Sequence, residues 1–480
     1  MTEITVIRDV EIIVAYDPDG DRQVYRHGGD VAFDETGILC VGGRFEGQAA
    51  TEISGKSRMV MPGLIDIHCH SHDEPLAKGI FEDVGTAALW GQAMYEYSGV
   101  IDGGEDARAA CLTVMLGDLM RSGATTVLDI AGAHEIWLDV AAQSGVRGYL
   151  APGFRQADWV VHDSHRLDFE WNDKAGRDAF ARALDFADRA RAHPSGRLDG
   201  VVAPSQVETC RPDLLADAAH EARKRGMTIT IHAAQTMAEH EELLRRTGLT
   251  AVQYLDRLGV LGGDVILGHC IFADHHSWTR QRTEDDLATL VARNTSVAHC
   301  PVTFARSGMA LETLGAYRRA GVNVAIGTDS YPFNMLEEMR QALICSRLGA
   351  KSVFDIATGD IFDAATLAGA RALGRTDIGR LSVGAKADLL VIDLTVPSMR
   401  PVYDPLRSLL HCAAERAVER VYVDGRLTVD HGKPTQLDCD AAVREVQSLQ
   451  QWACARAGLH DPKGRGIAEL APMSLPVFGS

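Results

Sequence analysis

Apolar positions along the 480-residue chain change their period twice. Over the first sixty residues, "ITVIRDVEIIVAY" and "DVAFDETGILCVGGRF" alternate apolar with polar and break at Asp-Gly and Gly-Gly, the period-2 pattern of short antiparallel strands. The same texture returns in "GRLSVGAKADLLVIDL" and "AVERVYVDGRLTVDHGKP". Two β-rich ends around a different middle predict one small β-sandwich built from both termini. In the middle, short apolar runs alternate with helical stretches. The runs are "GLIDIH", "TTVLDI", "VRGYLAP", "LDGVVAP", "MTITIHA", "DVILGHC", "TSVAHCP" and "VNVAIGTD". Between them "EDARAACLTVMLGDLMRSG", "PDLLADAAHEARKRG" and "LETLGAYRRAG" carry helical periodicity that stops at glycine. Eight such alternations predict an α/β fold of the (β/α)₈ TIM-barrel type. A doubly wound sheet would bring a glycine-rich phosphate turn after its first strand, and none follows here. The expected division is 1–60 and 376–437 for the sandwich, 61–375 for the barrel, and 438–480 for a C-terminal helix and tail.

Charge and composition narrow the partners. A net charge of −18 argues against nucleic acid or an anionic membrane. No apolar run approaches the length of a membrane span, and the N-terminus carries acids where a secretory signal would not. Ten scattered cysteines without a Cys-x-x-Cys pair fit free thiols, hence a cytoplasmic location. The expected partner is a small-molecule substrate, and a homo-oligomer is the expected assembly.

The chemistry lies at the strand ends. His68 and His70 stand two apart at the end of the first strand, so their side chains share a face. His232 ends the fifth strand, His269 the sixth and Asp329 the eighth, and all would converge on the C-terminal face of a barrel. One histidine at a strand end is commonly a hydrogen-bonded structural residue; five metal-competent groups at one face point to one divalent ion per subunit. Zn²⁺ suits the set best, and Co²⁺, Mn²⁺ or Fe²⁺ would also be held. Such an ion makes water nucleophilic, Asp329 could take up its proton, and His269 could orient the water or the oxyanion. His72, His275, His276 and His299 fit either substrate contact or ordinary structure. His162 and His165 lie in a long insertion that reads equally as a lid or an exposed loop. Trp90, Trp159 and Phe304 could wall the substrate or simply pack.

The motifs "PGLIDIHCH", "RSGATTVLD", "TITIHAAQ", "VILGHC", "VAHCPVTFARSGM" and "GVNVAIGTDS", with the closing "GRLSVGAKADLLVIDL" and "VERVYVDGRLTVDHGK", resemble the amidohydrolase superfamily. The likeness spans residues 1 to 435 and is strongest to the branch of chlorohydrolases and of S-adenosylhomocysteine, guanine and cytosine deaminases. It implies His68, His70, His232 and Asp329 as metal ligands, Asp329 also as proton shuttle, and His269 as a contact to water or substrate. Members with two metals bridge them through a carbamylated lysine on the fourth strand. "LDGVVAPSQ" has no lysine, so a mononuclear centre is expected. Two departures bear on substrate. The deaminases place a ring-protonating glutamate three residues after the fifth-strand histidine, where this chain has Gln235, and an amide cannot relay a proton. Ser205 stands where "A-P-H" would put a substrate-facing histidine. Glu208 is a nearby acid that could substitute or could be a loop residue. Gln235, His72, Trp90, Ser205 and Phe304 are the candidate substrate-binding residues. Without the acid, the expected reaction is hydrolysis of a small amide, urea or (thio)carbamate, and the altered positions resemble phenylurea and molinate hydrolases. The alternative is a deaminase or dechlorinase of a purine, pyrimidine or s-triazine.

Overall fold

A computed structural model describes residues 3–97, 99–161, 167–279, 283 and 285–477. His162 and His165 lie outside the described residues. Each of the eight predicted apolar runs of the middle forms a strand: β1 Leu64–Cys69, β2 Ala124–Ala131, β3 Arg147–Phe154, β4 Leu198–Gly200 continuing at Ala203–Pro204, β5 Ile229–Ala233, β6 Val265–His269, β7 Ser296–His299 and β8 Val324–Ile326. Neighbours pair in parallel from β1 to β4 and from β5 to β8. Single bridges Val202–Ile229 and Gln206–His232 join β4 to β5, and Cys69–Asp329 joins β1 to the end of β8, so the succession returns to its start. The strands are buried on both faces, as parallel strands between helices must be. Their side chains divide accordingly: Leu128, Ile130, Tyr149 and Ala151 fall in one small cluster, while Val127 and Leu150 join the larger cluster that includes the helices.

Helices Gly104–Arg121, Pro212–Arg225 and Leu314–Ala320 occupy the stretches where periodicity predicts them. The latter two stop at Gly226 and Gly321, at φ 62° and 99°, conformations that favour glycine.

Both chain ends contribute to one seven-stranded sheet, ordered Lys433–Pro434, Arg426–Asp430, Val418–Val423, Leu389–Asp393, Arg58–Pro62, Ile12–Asp17 and Arg22–His27. A four-stranded sheet of N-terminal strands accompanies it, and Ile7, Phe33, Val60, Leu389 and Tyr422 form a core drawn from both sheets. Arg147 at the start of β3 ties this part to the strand ring. Its guanidinium donates to Asp388 at 3.0 and 3.1 Å and to Asp424 at 2.7 Å, fully buried.

The C-terminal helix Cys439–His460 packs along Gly104–Arg121. Gln450 Nε2 donates to the carbonyls of Leu76 and Lys78 at 2.7 and 2.9 Å. Beyond the helix, Lys463 and Arg465 pair with Glu96. Among the described residues no helix is long and apolar enough to cross a membrane.

Candidate metal centre and substrate cavity

The strand ends are built to turn sharply. His269 and Asp329 adopt φ of 75° and 61°, and Ala234, just past β5, a φ of 51°. Side-chain-bearing residues avoid this region unless the surroundings impose it, and such strain gathers where chemistry is positioned. On β1 the register against β2 shifts between Asp66 and Cys69, the stretch that carries His68. Asp66 fastens this edge: its carboxylate accepts from His68 N, Thr328 N and Thr328 Oγ1, joining β1 to the chain just after β8.

His68, His70, His232 and Asp329 each offer a ligand atom, and these atoms all lie within 4.8 Å of one another. His70 Nδ1 donates to the Ile130 carbonyl at 2.9 Å, and His232 Nδ1 to the Ser205 carbonyl at 2.6 Å. Those bonds orient the rings and bring both Nε2 atoms to one point, 3.2 Å apart. Two ring nitrogens aimed at one point beside a carboxylate are a donor set for a cation. His68 gives the same sign, because both of its ring nitrogens are buried without a hydrogen-bond partner. Asp329 Oδ1 stands 3.5 Å from His68 Nε2 and 3.3 Å from His70 Nε2. Around a tetrahedral zinc with bonds near 2.1 Å, adjacent donors would be about 3.4 Å apart. The group fits a single divalent ion in donor type and in spacing.

Electrostatics agree. Burial would raise the Asp329 carboxyl, but the imidazoles of His269, His68 and His70 hold it well below the usual carboxylate range. Burial pushes His232 and His269 well down, so both rings are neutral, the form that binds metal or donates a single N–H. His269 is buried with both nitrogens unpartnered, 3.9 Å from Asp329 and against the Phe304 ring.

Beside the cluster opens a cavity of about 390 Å³. His72, Gln235 and Phe304 line it, as do Trp159 and the candidate ligands His70, His232 and Asp329. Two expected substrate contacts fall elsewhere. Trp90 is half-exposed, in a left-handed backbone conformation, and stacks on Trp278. Ser205 is present only through its carbonyl, which accepts from His232; its hydroxyl packs towards Gly153 on β3. Glu208 is buried outside the cavity, taking the indole N–H of Trp159 at 3.2 Å. His276 donates to or accepts from backbone at Ala310 and Trp278, a structural role, and buried His299 lies outside the cavity. His275, in an edge-on ring contact with Tyr317, also lies outside it.

Sequence reasoning missed three groups. Glu239 accepts the backbone N–H groups of Ala234 and Gln235 at 2.7 and 2.6 Å, while Thr236 Oγ1 accepts from Glu239 N; the spacing Thr-x-x-Glu was the available signal. Arg306 reaches the cavity wall, its guanidinium over the Tyr331 ring and bonded to Ser330 Oγ. Glu74, four residues after His70, faces the same space.

Residues 59–428 match the model of the amidohydrolase family. A 5-methylthioadenosine/S-adenosylhomocysteine deaminase of Natronomonas pharaonis is 30% identical over 89% of this chain and 94% of its own. A 5′-deoxyadenosine deaminase of Methanosarcina mazei is 26% identical over 92% and 97%. Among solved structures, an adenosine deaminase of Xanthomonas campestris with bound zinc superimposes with a TM-score of 0.79 at 24% identity, over 94% of this chain and 98% of that one. An atrazine chlorohydrolase of Arthrobacter aurescens complexed with zinc gives 0.79 at 21%, over 93% and 100%. The relatives named here thus favour the deaminase alternative over urea or carbamate hydrolysis. With its family match spanning the strand ring and the His-His-His-Asp group at one end of it, this chain belongs to the amidohydrolase family and is a hydrolase of carbon–nitrogen bonds other than peptide bonds.

Proposed function

We propose that the protein is a metal-dependent aminohydrolase that deaminates a nitrogen heterocycle, with adenine nucleosides altered at the 5′ position as the substrate class. The observation that carries this reading is the ligand cluster opening directly onto a cavity of nucleoside size, in a chain whose relatives are named for that reaction. The returning succession of parallel strands reads as a (β/α)₈ barrel over 61–375. Segments 1–60 and 376–437 make the β-sandwich, and 438–480 the C-terminal helix and tail. We assign Zn²⁺ to His68, His70, His232 and Asp329.

When bound, the ion supplies the positive charge that lets water lose a proton near neutrality. Asp329 accepts that proton as the water oxygen adds to the ring carbon bearing the amino group. It then hands the proton to the departing nitrogen, and the carbon–nitrogen bond breaks to release ammonia. Neutral His269 donates a ring N–H to the oxygen as charge builds on it. His70 and His232, held by backbone carbonyls, keep their orientation throughout. Trp159 and Phe304 supply apolar walls for the purine.

A second reading, cleavage of an amide, urea or thiocarbamate, is favoured by one observation, the amide of Gln235 in place of an acid. Zinc-loaded protein assayed for ammonia from 5′-methylthioadenosine and 5′-deoxyadenosine, and for arylamine from phenylureas, separates the two. Ammonia without arylamine is expected; arylamine alone would replace the first reading with the second.

A further inference from the structure

The deamination proposed above leaves one proton without a donor. When water adds to the amino-bearing carbon, the adjacent ring nitrogen must be protonated, and Gln235 has no proton to relay. Among the described residues four carboxyl groups line the cavity: Asp73, Glu74, Glu82 and Asp329. Asp329 faces the imidazoles and already serves the water. Asp73 is paired to His72 at 2.7 Å. Glu82 is exposed and accepts the Gly79 N–H at 2.7 Å. Glu208 and Glu239 lie outside the cavity, one on the Trp159 indole and the other on the backbone N–H groups of Ala234 and Gln235.

Glu74 differs from all of these. Among the described residues no hydrogen bond or ion pair engages its carboxyl, although it looks into the same cavity as His70, His232, Gln235 and Asp329. Arg306, the guanidinium of the cavity wall, is turned to Ser330 and Tyr331 instead of to Glu74. The turn that carries Glu74 is fixed from behind by Gln450, which binds the carbonyls of Leu76 and Lys78. A half-buried carboxyl on an anchored turn, left without a protein partner among the described residues, is available to a ligand.

We propose that Glu74 is the acid that protonates the ring nitrogen, filling from the β1 side the part that Gln235 cannot play from the β5 side. This rests on the deaminase reading. Protons balance as follows. Glu74 gives its proton to the ring nitrogen as the carbon–oxygen bond forms. Asp329 moves one water proton to the leaving amino group. The remaining hydroxyl proton of the adduct returns to Glu74 as the carbonyl forms and ammonia departs. Burial pushes the Glu74 carboxyl up to about 7, with Asp329 and Asp73 adding to the rise and His70 and Arg306 opposing it, so the protonated form is accessible near neutrality. The substrate ring is therefore oriented with its basic nitrogen towards the loop after β1.

The test uses the zinc-loaded full chain and ammonia release from 5′-methylthioadenosine. Glu74→Gln should lower kcat by about 10²–10⁴-fold with zinc content and melting temperature unchanged. The double variant Glu74→Gln with Gln235→Glu, which restores an acid at the other side of the ring, should recover at least about tenfold of that loss. A Glu74→Gln rate within about threefold of the parent overturns the assignment, and so does a loss accompanied by loss of zinc or left unrelieved in the double variant. A parent that releases no ammonia from this probe or from 5′-deoxyadenosine, yet cleaves phenylureas, instead sinks the deaminase reading on which the assignment stands.

Discussion

Gly268, one residue before His269 on β6, is where a single methyl group should separate metal binding from folding. A Cβ there would stand 2.7 Å from Cε1 and 3.2 Å from Nδ1 of His68, where ordinary contact begins near 3.4 Å. The ring of His68 would have to retreat by about 0.7 Å, several times the roughly 0.2 Å that a metal–ligand bond tolerates. Retreat is not free, because His68 is fully buried and its ring is packed edge-on to those of His70, His232 and His269 at 4.7 to 5.2 Å. Overpacking of this kind costs about 1–3 kcal/mol of stability. Displacing a donor should weaken zinc by about 10- to 100-fold, the loss seen when a ligand's support is removed. At saturating zinc that removes about 1.4–2.8 kcal/mol of ligand-induced stabilisation. Zinc affinity measured against a competing chelator, with melting curves in zinc and in chelator, reads both quantities for Gly268→Ala. A variant that binds zinc with parental affinity would refute the idea that this glycine exists to seat the His68 ring.

Three further outcomes follow from the same structure. Asp329→Asn should fold but turn over about 10³-fold more slowly, since a ligand and the proton carrier are lost together; steady-state kinetics on metal-loaded protein checks it. Arg147→Ala strands the buried Asp388 and should cost about 3–5 kcal/mol, seen as a lower urea midpoint at unchanged slope. Asp274 is held at about 2, from 3.8, because the His275 ring 3.7 Å away and hydrogen bonds from Thr283 and the Asp285 and Asp286 amides outweigh the effect of burial. Its depressed value gives stability that is complete above the unfolded value of 3.8 and is lost as pH falls towards about 2. Asp274→Asn should remove about 1–2 kcal/mol at neutral pH, after allowance for screening, and flatten that acid limb in chemical denaturation.

Strand periodicity was readable because parallel strands buried on two faces leave unbroken apolar runs, and the first, fifth, sixth and eighth of them end at His70, His232, His269 and Asp329. His68, His70, His232 and Asp329 could be placed together without coordinates for that reason. Side chains on the connecting loops obey no such rule. Trp90 has the chemistry of a pocket wall, yet its ring stacks on Trp278 outside the cavity. Ser205 occupies a substrate position in sequence, yet only its carbonyl reaches the site. The role proposed for Glu74 is not legible in the sequence, because it depends on what the side chain does not touch, and a missing partner leaves no trace in a string of letters. The reaction class is hard to read from the sequence for a related reason. Gln235 leaves one side of the site without an acid, and the nearby substitute that the sequence offers, Glu208, lies outside the cavity, whereas Glu74 on another loop faces it.

The helix Cys439–His460 has one consequence for how the protein comes into being. Every ligand of the candidate ion is synthesised by position 329, but the turn bearing Glu74 is fastened by Gln450, more than a hundred residues later. On a growing chain the ion-binding centre can therefore assemble first, with the loop above it still slack. On the role proposed for Glu74, final placement of that acid waits for the last long helix to dock.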